Sequence, residues 1–123
     1  MILKYRRKSA ASILAALLMF AASGAEAAGS LAGKEGDVRY AVTIPTGTIG
    51  GCGKAYAAYL AASGHSAFAA TPIVPAIEYF ICGARLNAPS QKAAEDLALK
   101  SCRASKSKYK VTVAGDCSIA ASK

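Results

Sequence analysis

The sequence has no tryptophan, a single histidine (His65), seven acidic residues and only nine Phe or Tyr in 123 positions. Each shortage closes off chemistry. One histidine leaves no cluster of imidazoles for a metal, and the four cysteines contain no C-x2-C pair of the kind that starts a zinc site. The C-x-x-C-H signature of a c-type haem is also missing. Few carboxylates leave few candidates for general acid–base pairs. The length excludes a full-size cofactor enzyme and leaves room for one small domain, so the expectation is a protein with no metal and no cofactor. Hydrophobic residues reach 54%, but much of this is alanine, which buries little area per residue.

What is present begins with an export pattern. Lys4, Arg6, Arg7 and Lys8 form a basic head, residues 10–22 an apolar run, and Ser23-Gly24-Ala25-Glu26-Ala27 a small-residue cluster. A positive head, an apolar core and an A-x-A site in that order read as a signal peptide over residues 1–27, cut after Ala27. The apolar run spans roughly 20 Å at about 1.5 Å per residue, short of a bilayer core of about 30 Å. No cysteine follows it closely, against a lipid anchor, and no second run reaches spanning length. The expected location is periplasmic or secreted, with no transmembrane segment in the mature chain. Cleavage removes four basic residues and one acidic one, so the net charge falls from +8 to +5.

Cys52, Cys82, Cys102 and Cys117 all follow the cleavage site. An even count in an exported chain reads as a disulfide framework. Of three connectivities, Cys52–Cys82 and Cys102–Cys117 are preferred because each closes a local loop. Each bridge adds roughly 3–4 kcal/mol through loop entropy, which matters in an alanine-rich core of this size.

Residues 28–38 read as a flexible arm and residues 39–123 as a single domain. Residues 39–44 (R-Y-A-V-T-I) alternate and predict a strand; 45–53, with four glycines and a proline, predict a loop. Residues 55–62 admit two readings. Their alanines favour helix; a hairpin with 65–71 around Ser63-Gly64 would set Tyr59 opposite Phe68, and the hairpin is preferred. Pro72 and Pro75 bracket a loop, and 78–82 (E-Y-F-I-C) predict another strand. The clearest helix runs over 91–103, with Ser90 as N-cap and Ala94, Leu97, Ala98 and Cys102 as its buried face. Asp96 and Lys100 suit an i,i+4 pair. Residues 108–114 predict a strand, Gly115-Asp116 a turn, and 117–121 a final strand. The expected fold is α+β: a small antiparallel sheet of hairpins on one main helix, stapled by disulfides.

These features resemble a family of small secreted bacterial domains of unknown function. The likeness rests on A-Y-A-A-Y-L-A-A-S-G ahead of a turn, on A-A-E-D-L-A-L-K-S-C at 93–102, which follows A-A-x-x-x-A-L-x-x-C, and on a later strand with Asp116-Cys117. It covers about residues 55–121, and the segment 72–83 with Cys82 departs from it. It implies an exported, disulfide-linked α+β domain and no activity.

Residues 47–54 (G-T-I-G-G-C-G-K) approach a phosphate loop but carry Thr48 in place of the first glycine and Ala55 in place of the Mg²⁺-binding hydroxyl. Gly64-His65-Ser66-Ala67-Phe68 lacks the last glycine of a nucleophile elbow. On a strand His65 and Ser66 would point to opposite faces, so a hydrolase would need His65 to meet a distant Ser and acid. Glu95 and Asp96 diverge by about 100° on a helix and read as a solvated face. One charge cluster remains: Lys100, Arg103, Lys106, Lys108 and Lys110, with Tyr109 able to stack among them. It suits an anionic polymer such as acidic polysaccharide, lipopolysaccharide or nucleic acid, with no specific nucleic acid implied. A helix C-terminus also favours cations on structural grounds alone. The leading expectation is a non-enzymatic, envelope-associated or anion-binding module. A small secreted hydrolase using His65 and a secreted inhibitor or toxin-like factor are the alternatives.

Overall fold

The computed structural model describes residues 29–42, 44, 51–77 and 79–123. Residues 1–28, which include the expected signal peptide, Thr43, residues 45–50, expected to be part of a loop, and Glu78 lie outside the described residues. Four strands form one antiparallel sheet, β1 (Asp37–Val38), β2 (His65–Ala70), β3 (Cys82–Ala88) and β4 (Ser118–Ser122), in the order β1-β4-β2-β3. Helices α1 (Cys52–Ala61) and α2 (Gln91–Tyr109) cover it. The fold is thus α+β with two disulfides, as expected, but with a helix on each face of the sheet.

The strand period explains the layering. On β2, Ala67 and Ala69 enter one core with Ala94, Ala98 and Cys102 of α2, while Phe68 enters the other with Cys52 and Tyr59 of α1. Register shifts between His65 and Ala67, and between Phe68 and Ala69, mark bulges. On β4, Ile119 joins the α2 core while Ala120 and Ala121 join the α1 core.

Residues 55–61 are helical, with Ala62 as the extended C-cap, so the preferred hairpin is corrected. Cys52, Tyr56 and Tyr59 repeat at i, i+4 and i+7, a helical spacing that carries all three onto the sheet. Tyr59 reaches Phe68's core from the helix, and Tyr56 meets the Phe68 ring edge-on at 5.3 Å. The strand expected at 39–44 is also shorter and earlier: pairing covers only Asp37 and Val38, after which Arg39 N and Tyr40 N both donate to the Ala120 carbonyl. Sharing one acceptor ends the ladder there. In the segment 28–38, read as a flexible arm, the described residues are attached to the rest of the chain. Leu31 N donates to Ser63 O and Gly33 N to Leu60 O. At Gly36, φ is 70° and a Cβ would meet the Ser122 carbonyl, so a side chain there would push the segment off β4.

The strand expected at 78–82 starts only at Cys82 and runs on to Ala88. The 71–81 loop is closed at its base: Thr71 N donates to Ile81 O (2.8 Å), and Ile81 N to Thr71 Oγ1 (2.9 Å). Helix α2 starts where the sequence places it, with Ser90 Oγ accepting from Ala93 N, but continues to Tyr109. Residues 108–114 therefore form no strand; Val111 and Val113 still pack on the α2 core. Ala94, Ala98 and Cys102 are buried as expected, whereas Leu97 is exposed. Asp96 pairs with Lys92 at 2.9 Å in place of Lys100.

Both disulfides join the expected partners, Cys52–Cys82 and Cys102–Cys117. One lies in each core. Gly83 lets α2 pack directly on β3: a Cβ there would lie 2.3 Å from Cys102 N and 2.8 Å from Ala98 O, so only glycine allows so close an approach.

Candidate functional site

The basic cluster occupies the C-terminal end of α2. Alanine and straight-chain residues favour helix through this stretch, and the helix ends at Lys110, which takes a left-handed φ of 47°. Lys100 lies opposite the buried stripe of Ala94, Ala98 and Cys102, and Arg103 and Lys106, at steps of three, wind round toward it, so that Lys106 sits half-buried beside Cys102. Lys108 is turned by about 200° from Lys106, and its ammonium lies 5.4 Å from the Tyr109 ring centre. The strand expected over 108–114 would have set Lys108 and Lys110 on one face; a basic collar along the end of the helix stands in its place. The C-terminal carbonyls of the helix favour the charges in its last turn, Lys106 and Lys108.

The sequence reading missed a carboxylate in this collar. Asp116 lies 3.7 Å from Lys106 Nζ and 4.0 Å from Arg103 Nε. Its acidity is raised, its pKa lowered first by the hydrogen bond that Cys117 N donates to Oδ1, then by Lys106 and Arg103. The signal was legible once the bridge was assigned: joining Cys102 to Cys117 brings their neighbours Arg103 and Asp116 together. Lys92, farther up the same helix, is engaged with Asp96, which raises its pKa through a hydrogen bond and charge. Five cations against one carboxylate leave the collar basic.

Glu95 and Asp96 diverge as expected, but Glu95 is not a solvated residue. Its Oε1 accepts from Ser122 Oγ and from Arg39 Nη2, both at 2.7 Å, and Gln91 Nε2 donates to Ser122 Oγ and Asp37 Oδ2. This network ties α2 to β4 and β1. His65, the first residue of β2, is exposed, and its side chain makes no hydrogen bond or ion pair with the described residues. Ser66 is fully buried, its hydroxyl donating to Gly64 O and accepting from Asn87 N. The structure does not bring the two together as a catalytic pair.

The geometry defines a disulfide-bridged α+β domain with a helix on each face of its sheet and a basic helix end. Comparison with protein-family models, curated proteins and solved structures finds no match to this chain.

Proposed function

We propose that the protein is an exported, non-enzymatic module that binds an anionic polymer at the basic collar of α2, on an acidic polysaccharide or envelope surface. The observation that carries this reading is the concentration of Lys100, Arg103, Lys106, Lys108 and Lys110 along the C-terminal half of α2 and its cap, with Asp116 the one carboxylate paired to them among the described residues. Flexible lysines spread around a helix end suit a polymer with repeated charges better than a single small anion. Export to an oxidising compartment fits the two disulfides and the signal-like segment 1–27. A hydrolase centred on His65 lacks comparable support, since no acid or hydroxyl engages that side chain among the described residues.

The test is the variant Lys106→Gln/Lys108→Gln/Lys110→Gln, compared with the native protein on heparin resin and on isolated envelope. Binding should weaken as salt rises, because condensed counterions are released, with a shallow log–log slope of about three or less for so few contacts. The variant should elute at clearly lower salt while its stability changes by a few tenths of a kcal/mol per site, roughly the cost expected at exposed positions. Unchanged envelope binding by the folded variant would retire the proposal.

A further inference from the structure

A cavity of about 300 Å³ opens on the face of the sheet opposite α2. Phe68 and Phe80, 1% and 2% exposed, close its floor, and the apolar surface it offers comes from Tyr40, Val42, Pro72 and Ile73. None of its described lining residues is charged. Its volume is about twice that of a dry cavity that accepts benzene, and it sits at the lower end of the range, about 300–1,000 Å³, typical of small-molecule sites.

The rim makes this more than a gap in the packing. Tyr40 is 59% exposed and Ile73 44%, with Val38 at 46% two residues from Tyr40. Large hydrophobic side chains gathered around an apolar opening keep surface in water that a ligand would cover. Polar handles are few. The Thr71 hydroxyl is already engaged with Ile81, accepting from its N–H at 2.9 Å. The hydroxyls of Ser118 and Tyr40 make no hydrogen bond with the described residues. One exposed aromatic ring beside an apolar lining without charge, with two available hydroxyls, selects a neutral and largely apolar occupant.

We infer that this cavity binds a neutral small molecule of one or two aromatic rings bearing a single hydrogen-bonding group. Its rings pack on the Tyr40 ring, where offset and edge-on contacts are favourable, and over Val42 and Ile73, and its polar group meets Ser118 or the Tyr40 hydroxyl. The site stands apart from the anion-binding reading, because α2 packs on the other face of the sheet.

The test uses the full, oxidised protein and the neutral fluorophore N-phenyl-1-naphthylamine. Binding should be saturable at one site, insensitive to salt, and unchanged in Lys106→Gln/Lys108→Gln/Lys110→Gln. The rim variant Tyr40→Ser/Ile73→Lys should bind at least about tenfold more weakly, since it removes apolar contact from two large side chains. Both positions are exposed, so its circular dichroism and melting should match the native protein, as should its retention on heparin. Probe-induced NMR shifts should fall at Tyr40, Val42 and Ile73. The inference is overturned if the native protein shows no saturable binding, if the rim variant binds as tightly as the native protein, or if the shifts centre on Leu97 and Tyr109, the exposed hydrophobics of α2. Self-association that the rim variant abolishes, without probe binding, would assign the patch to a second copy and overturn it equally.

Discussion

Tyr59 is fully buried, yet its phenol is not isolated. The hydroxyl donates to the Glu35 carbonyl, the ring stacks on Tyr56 at 5.8 Å, and the Lys123 ammonium sits 5.0 Å from its centre. That ammonium donates in turn to the carbonyls of Leu31, Lys34 and Leu60. Burial, followed by the charges of Tyr56, Asp37 and Glu35, pushes the Tyr59 phenol up to about 12 from 10.0. The folded state therefore holds the proton more tightly than the unfolded chain. Its contribution to stability is intact below pH 10 and is lost as pH rises toward 12. Lys123 has the opposite sign: burial, then Lys34, lowers its pKa, so its contribution shrinks as pH falls below 10.5. Ultraviolet titration should show one phenolate step near pH 12, absent in Tyr59→Phe. The same variant should lose about 1 kcal/mol with its hydrogen bond. A titration unchanged by the substitution would place that step on another tyrosine.

The two helices are held by different means. Helix α2 has a side-chain N-cap, 19 residues and a stripe of small buried residues. Helix α1 has ten residues, begins after Gly51 in a left-handed conformation and has no side-chain cap. Isolated helices this short are marginal, so α1 depends on Tyr59 and on Cys52, its first residue, bridged to the first residue of β3. Replacing the pair as Cys52→Ser/Cys82→Ser should cost about 3–4 kcal/mol, from the entropy of a 30-residue separation. The loss should be local. Amide exchange should accelerate across α1, while α2, held by Cys102–Cys117 and Ser90, keeps its protection. Equal acceleration in both helices would show that α1 and α2 open as one unit.

At the scale of the molecule, the sheet separates two small cores, and each core contains one bridge. Alanine supplies much of the contact in both, so neither core buries large side chains in number. Two bridges at about 3 kcal/mol or more each are comparable to the whole stability of a small domain, about 5–15 kcal/mol. Full reduction should therefore unfold the protein at room temperature, seen as loss of far-ultraviolet circular dichroism on adding dithiothreitol. Retention of a cooperative thermal transition in the reduced state would show that the cores suffice alone. The collar and the cavity occupy opposite faces of the same sheet, so salt and apolar probes report on them separately.

The sequence by itself determined the parts of this protein that depend on local rules. Ser90 caps α2 because its hydroxyl reaches the N–H three residues on, and Ala94, Ala98 and Cys102 recur at the helical period. The disulfide partners followed from loop closure. Other features were settled only by contacts distant in the chain. Residues 39–44 have the alternation of a strand, but Arg39 and Tyr40 share the Ala120 carbonyl and pairing stops at Val38. Residues 55–62 suited helix or hairpin alike, and the choice fell to helix because Cys52 and Tyr59 must reach the same sheet face. Residues 108–110 extend α2 or leave it, so Lys108 and Lys110 share no strand face. Glu95 looked solvated until β1 and β4 brought Arg39 and Ser122 to it. The cavity had no local signature, because Tyr40, Phe68, Ile73 and Phe80 come from separate segments. Caps, periods and loop closure act over a few residues or a short loop, where sequence is nearly the whole cause. Pairing, burial and concavity depend on which distant segment arrives, and only the folded chain decides that.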